Sequence, residues 1–504
     1  IVSFGSPERA ASPLEVQAYH RLTTPERPNG LGASRLIRDI AWNRGHTRAA
    51  WLESLAPRAE PGPAAPVTLF VDGRRCTAPQ CTGRLGAVWW NGADVVFLRH
   101  EGWAFSVPAL YVWSPDRGAA GRIYGEDSSL RSCDSAGDRL VCLQETPTTP
   151  RRIVSIRLQD GRIDTVFDPN PQFARYRLGR VEKLEVSDGF GNQAFGHLAY
   201  PPDFRAGCRY PLVIVQYRSA GFLRGGVGNE YPIFPLAAAG FLVYSSDNPD
   251  DVRLAARYDP TYWQGLAALT GKQIGASGYR MRSALGALNA AIDRLERRGI
   301  VDGSKIGITG LSAGSEALYF ALTHSTRFAA AATSGLAVPQ SAFLEVNGTL
   351  RAITEAEWGA RSLEEAVRNA SRVESLASHI DRMNTPLLIQ VSDHELVSVV
   401  PDYVALLAAG KPVEAYVFPD EYHIKWHPLH KLAAADRAID WFRFWLKGEE
   451  DPAPEKADQY VRWRELRRRA SPISIAADGE SDVGCPAAPG SRPDLGGDGR
   501  EERR

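Results

Sequence analysis

The sequence predicts two large parts: an all-β region of repeated antiparallel units, then an α/β region with a mostly parallel, doubly wound sheet. Three observations predict it. A hairpin pattern recurs at a fixed interval through the first third of the chain. From about residue 180, apolar strands alternate with amphipathic helices. A serine stands between two glycines where one of those strands turns into a helix, at Gly310-Leu311-Ser312-Ala313-Gly314. The length of 504 residues exceeds one ordinary domain, and an apolar content of 44% is enough to build real cores. Charge is balanced, 59 basic against 59 acidic residues, so nothing favours a nucleic-acid partner. No apolar run reaches the roughly 18 residues a membrane span needs.

The repeat comes first in the chain. Val67-Thr68-Leu69-Phe70-Val71-Asp72-Gly73 is echoed around Asp116 and again around Asp160-Gly161, the three aspartates standing 44 residues apart each time. A second echo runs in step, through Ile40-Ala41-Trp42, Val88-Trp89-Trp90 and Cys133-Asp134. A β-repeat of this length and hairpin grammar is that of a propeller blade. Roughly four blades fit into residues 1–178. An open half-propeller would leave raw strand edges. The chain begins at Ile1 with no Met and no basic-plus-apolar leader, so either a leader was removed or, as the preferred reading, the sequence starts partway through a longer protein whose missing start holds further blades.

Residues 179–448 form the α/β part: a hairpin over 182–200, strands at 212–216 and 241–245, and a helix whose Met281, Leu285, Leu288, Ile292 and Leu295 make one apolar stripe. Strands at 305–309, 329–334, 386–391 and 413–418 follow, with a closing helix over 433–446. Tyr460, Trp463 and Leu466 predict an amphipathic helix within 449–470 that docks on the body. Residues 471–504, rich in Gly, Pro, Ser and charge, read as disordered.

A serine hydroxyl is a weak nucleophile until a base takes its proton and donors await the developing charge. The G-x-S-x-G turn around Ser312, at a strand–helix junction, is the nucleophile elbow of an α/β-hydrolase domain. Such sheets carry Ser, acid and His in that order. Asp393, just past the strand ending at Val391, is the first-choice acid, with Glu395 as fallback. His423, 30 residues after Asp393 on the loop beyond the next strand, is the base. The oxyanion donors are the Ala313 N–H and, from the loop after 212–216, the Tyr217 hydroxyl. His427 and His430 raise the question of a metal. Pro428 interrupts them and no carboxylate partner is evident, so neither metal nor cofactor is expected.

Six cysteines are present, and Cys76/Cys81 and Cys133/Cys142 form two close pairs. Two local disulfides would favour an oxidising compartment such as a periplasm; neighbouring free thiols, with a cytoplasmic location, are the alternative.

With "DGFGNQ", "YPLVIVQY", "VDGSKIGITGLSAG", "TPLLIQVSDHE" and "FPDEYH", residues 1–448 resemble the prolyl oligopeptidase family. That resemblance implies a serine peptidase with a substrate-screening propeller ahead of an α/β-hydrolase domain. Three departures mark this chain: Ser315 where the family usually has a further glycine, "QYRSAG" in place of an HGGP-like loop, and Ile424 after the histidine. "GLSAGSE", "AGKPVEAYVFPDEYHIKWHP", "DWFRFWLKG" and "QYVRWRELRR" are similar to the lasso peptide isopeptidases of proteobacteria. This narrower resemblance implies hydrolysis of the amide that joins the N-terminal amine of a lasso peptide to an Asp or Glu side chain. The partner is then a threaded peptide. The alternatives are a prolyl or dipeptidyl peptidase acting on linear peptides, and a propeller binding scaffold with an inactive hydrolase. Nothing in the sequence sets an oligomeric state.

Overall fold

The computed structural model describes residues 37–54, 67–249, 279–335, 360–374 and 376–470. The disordered tail expected at 471–504, Cys485 within it, and the chain start before residue 37 lie outside the described residues. Contacts divide the chain into two compact units, the first running through Phe173 and the second starting at Ala174, with the short segment 220–222 belonging to the first.

In the first unit each copy of the repeat becomes one antiparallel sheet. The first sheet comprises Ile37–Trp42, Ala49–Ser54, Val67–Val71 and Arg74–Arg75, with Thr82–Gly83 also pairing on Val67–Val71. The second comprises Leu85–Asn91, Asp94–Glu101, Val107–Trp113 and Ala120–Gly125. The third comprises Ser129–Ala136, Arg139–Thr146, Thr149–Arg157 and Ile163–Phe167. The echo ending in aspartate is the third strand of each sheet plus its turn into the fourth, and the second echo falls on each first strand. Three blades therefore stand among the described residues where the length suggested about four. Residues 1–36, which the expected count takes in, lie outside the described residues.

Side chains alternate across a strand, so adjacent tryptophans face opposite ways. The Trp90 indole N–H donates to the Ala41 carbonyl of the first sheet at 3.0 Å. The Trp89 indole N–H donates to the Cys133 carbonyl of the third at 3.2 Å. Both cysteine pairs are disulfides: Cys76–Cys81 closes the end of the first sheet, and Cys133–Cys142 joins the first two strands of the third.

The second unit is built on one eight-stranded sheet. Its strands are β1 (Val181–Ser187), β2 (Gln193–Ala199), β3 (Tyr210–Val215), β4 (Leu242–Asp247), β5 (Val301–Leu311), β6 (Ala330–Ser334), β7 (Leu387–Ser392) and β8 (Val413–Phe418). They lie in the order β1-β2-β4-β3-β5-β6-β7-β8, antiparallel through β4 and parallel beyond it. Five helices are labelled here: α1 (Tyr279–Arg297), α2 (Ala313–His324), α3 (Leu396–Ala408), α4 (Pro428–Phe442) and α5 (Ala457–Arg469). One apolar layer takes in α1, through its Met281, Leu285, Leu288, Ile292 and Leu295 stripe, together with α2. The other takes in α4 and α5. Helices therefore cover both faces, which parallel strands with apolar residues on both sides require. This is an α/β-hydrolase sheet, preceded in the chain by propeller blades.

The α5 helix is highly charged, yet Tyr460 and Trp463 are buried. The Trp463 ring meets Trp441 of α4 edge-on at 5.0 Å, and its indole N–H donates to the Glu414 carboxylate. This anchor predicts that Trp463→Ala lowers the stability of the α/β unit by about 3–5 kcal/mol, with a cavity left behind and one Glu414 oxygen without its indole donor. Urea unfolding followed by tryptophan fluorescence measures it; a loss below about 1 kcal/mol would show that the helix is not held there.

Candidate active site

The central strand β5 ends at Leu311, and α2 starts at Ala313, leaving a single residue to turn the chain. That residue, Ser312, has φ 58° and ψ −125°, a conformation that costs a non-glycine residue about 1–3 kcal/mol. Neighbouring contacts hold it there. The Ser312 N–H donates to the Ser334 carbonyl at 3.2 Å, and the Ser312 carbonyl accepts from the Ser315 N–H at 2.8 Å. A side chain at Gly310 would run into the Gly314 carbonyl, so only glycine lets the helix start this close to the strand. Ser315, which replaces a glycine of the family pattern, donates through its hydroxyl to the Ser334 carbonyl at 2.7 Å. It also accepts from Thr333 Oγ1 at 2.8 Å.

The imidazole arrives on the loop between β8 and α4. His423 Nδ1 lies 2.6 Å from Glu395 Oε1. The hydrogen bond to Glu395 raises the His423 pKa above its ordinary value, outweighing the opposing effect of burial. A methyl group at Gly335, just past β6, would stand 2.8 Å from His423 Cε1 and 3.4 Å from the Ser312 backbone nitrogen. The imidazole and the serine turn thus face each other across one glycine, itself at φ +80°.

The carboxylate that meets His423 is Glu395, so the first-choice acid, Asp393, is corrected. Both residues lie in the single helical turn that follows β7. Asp393 is exposed and accepts from the Asp420 N–H at 3.0 Å, which ties the turn to the histidine loop. That amide bond, first among several, lowers its carboxyl below the usual range. Glu395 is buried, turned inward, and long enough to reach the imidazole; the Ser392 hydroxyl supports its other oxygen at 3.3 Å. Tyr217 follows β3, and its ring packs over Gly314 in the first turn of α2. Gln216 beside it is buried and donates to the Thr309 carbonyl at 2.8 Å. Ala313 is the first residue of α2, where backbone N–H groups precede the helix's own bonds.

Two residues that the sequence did not single out complete the frame. Lys425 and Glu230 are both fully buried, and the Lys425 ammonium lies 3.1 Å from each Glu230 oxygen. It also donates to Ser334 Oγ and to the Gln390 carbonyl, each at 2.9 Å. Next to Glu230, the Tyr231 hydroxyl donates to the Gly310 carbonyl at 3.1 Å. A lysine two places after a loop histidine reads as a solvated charge, and its partner is 195 residues away. No local signal links them.

The geometry predicts that Glu395→Gln lowers the His423 pKa, whereas Asp393→Asn changes it much less. Titration of histidine ring signals in isotope-labelled protein reads this directly. A larger downward shift in the Asp393 variant would overturn the assignment of the partner carboxylate.

Residues 287–449 match the prolyl oligopeptidase family model. The lasso peptide isopeptidase AtxE2 of Asticcacaulis excentricus is 41% identical over 408 residues, covering 80% of this chain and 58% of that protein. The chain thus spans little more than half the length of this curated relative. Dipeptidyl-peptidase 5 of Porphyromonas endodontalis is 24% identical over 62% of this chain and 45% of its own length. Among solved structures, an AtxE2 isopeptidase variant with Astexin3-dC4 bound superposes with a TM-score of 0.76 at 37% identity, covering 92% of this chain and 68% of that one. The acylaminoacyl peptidase of Pyrococcus horikoshii shares the fold, with a TM-score of 0.60 at 18% identity over 83% of this chain and 64% of that one. By the match to its family model and the likeness to the AtxE2 isopeptidase, the chain belongs to the prolyl oligopeptidase family.

Proposed function

We propose that the protein is a serine isopeptidase that linearises lasso peptides, with Ser312, His423 and Glu395 as its catalytic triad. The observation that carries the reading is the 41% identity to a lasso peptide isopeptidase. It is joined by a serine elbow that faces a carboxylate-paired imidazole. In this reading His423 Nε2 takes the Ser312 proton as Oγ attacks the carbonyl carbon of the isopeptide. The Ala313 N–H and the Tyr217 hydroxyl stabilise the oxyanion of the tetrahedral intermediate. Collapse breaks the C–N bond, and the imidazolium returns its proton to the departing N-terminal amine of the peptide. Water, activated by the same imidazole, then releases the Asp or Glu side-chain carboxylate from Ser312. Glu395 holds Nδ1–H so that Nε2 faces the serine, and it stabilises the transient cation.

The substrate is a threaded peptide in this proposal, and two disulfides support an oxidising compartment such as a periplasm. Among the described residues no helix is long and apolar enough to cross a membrane.

The test incubates the protein with a threaded lasso peptide and, separately, with a linear proline-containing peptide, and follows products by mass spectrometry. The expected result is addition of one water to the lasso peptide, with Ser312→Ala lowering turnover on the order of 10⁵-fold or more. Cleavage of the linear peptide alone would favour the dipeptidyl-peptidase reading, which the similarity to dipeptidyl-peptidase 5 motivates. Failure of a fluorophosphonate to label Ser312 would favour a non-catalytic scaffold. Gly335→Ala is expected to lower kcat/KM by roughly 100-fold, because the added methyl displaces the imidazole; full activity in that variant would remove His423 from the base role.

A further inference from the structure

The histidine loop carries a second cluster of side chains that the catalytic reading does not use. Glu421 is fully buried, and its Oε1 lies 2.9 Å from His427 Nδ1 and 2.9 Å from His430 Nδ1. One possible ligand atom from each of the three lies within 4.8 Å of the others. His427 caps the start of α4 and His430 sits in its first turn, so a spacing of three residues brings both imidazoles to one side of the helix end. The Glu421 carboxylate is aimed by the Trp426 N–H, 2.8 Å from Oε2, and by the His427 N–H, 3.1 Å from Oε1. The carboxylate partner that the sequence did not reveal for His427 and His430 is thus supplied six and nine residues upstream.

We propose that Glu421, His427 and His430 form a binding site for a zinc-class divalent cation. Two imidazole nitrogens and one carboxylate oxygen are a recognised zinc donor set, and they leave a fourth position for water. Ligand atoms around a tetrahedral zinc stand about 3.3 Å apart, so each ring needs to retreat from the Glu421 oxygen by only a few tenths of an ångström. The imidazoles coordinate as neutral tautomers with their protons on Nε2, and the side chains of His427 and His430 are 42% and 31% exposed, open to an arriving ion. Nitrogen-rich donors favour zinc over magnesium or calcium. Ligation of Glu421 and His427 closes the loop segment that carries His423 and Lys425 between them, so the ion acts as a clasp on that segment. The site does not rest on the proposed substrate or on the triad.

The experiment uses untagged, chelator-treated full-length protein in equilibrium dialysis against Zn²⁺, with bound metal quantified and unfolding temperature measured. Wild type is expected to retain one ion per chain and to unfold at a higher temperature with Zn²⁺ present. The His427→Ala/His430→Ala variant is expected to bind at least roughly tenfold more weakly and to lose the thermal shift. Glu421→Gln, which keeps the side chain's size, serves as a second variant, and circular dichroism checks that both are folded. Retention of no Zn²⁺ by wild type, equal affinity in both folded variants, or Mg²⁺ binding as tight as Zn²⁺ would each overturn the proposal.

Discussion

The buried pair of Lys425 and Glu230 is the contact around which the candidate active site is assembled. Taking two charges out of water is costly, and it is offset only when both are fully bonded. Here the ammonium meets two carboxylate oxygens, the Ser334 hydroxyl and the Gln390 carbonyl. Ser334 in turn accepts the Ser312 N–H through its own carbonyl, and Tyr231 beside Glu230 grips the Gly310 carbonyl. The strand that delivers the nucleophile and the loop that delivers the imidazole are therefore fastened to one desolvated charge pair. Removing either partner would leave a lone buried charge, which costs about 3–5 kcal/mol, so the arrangement is all-or-none in character.

Two neighbouring carboxylates divide the remaining tasks according to exposure. Glu395 is buried and spends its charge on the imidazole, whose pKa rises in consequence. Asp393 is exposed and spends its charge on the Asp420 amide, steadying the loop from outside. The His394 and Tyr422 rings stack at 5.6 Å between the same turn and the same loop. Position on a single helical turn, more than acid type, decides which group serves the histidine.

Much of this was legible from residue order. Strand and helix alternation, the glycine-flanked serine and the Ser–acid–His sequence all reflect local constraints: side-chain period, turn sterics and the carboxyl edge of a parallel sheet. The apolar stripe from Met281 to Leu295 is buried as its spacing requires. The choice between Asp393 and Glu395 was not legible, because it depends on which way one turn faces after β7. The Glu230–Lys425 pair and the approach of Glu421 to two histidines were hidden for another reason. Pattern reading treats charged loop residues as solvated, whereas long-range packing buried these. Three blades stand among the described residues, and residues 1–36, which the expected count of about four takes in, lie outside them.

The adjacent indoles of Trp89 and Trp90 give the first unit an unusual sensitivity to chain length. Each reaches a different neighbouring sheet only because consecutive side chains leave a strand on opposite sides. Inserting one residue ahead of them in that strand would exchange their destinations, breaking both cross-sheet links at once while leaving the composition nearly untouched. An insertion at a hairpin tip would leave both links in place, so lengthening of these sheets is channelled to their turns.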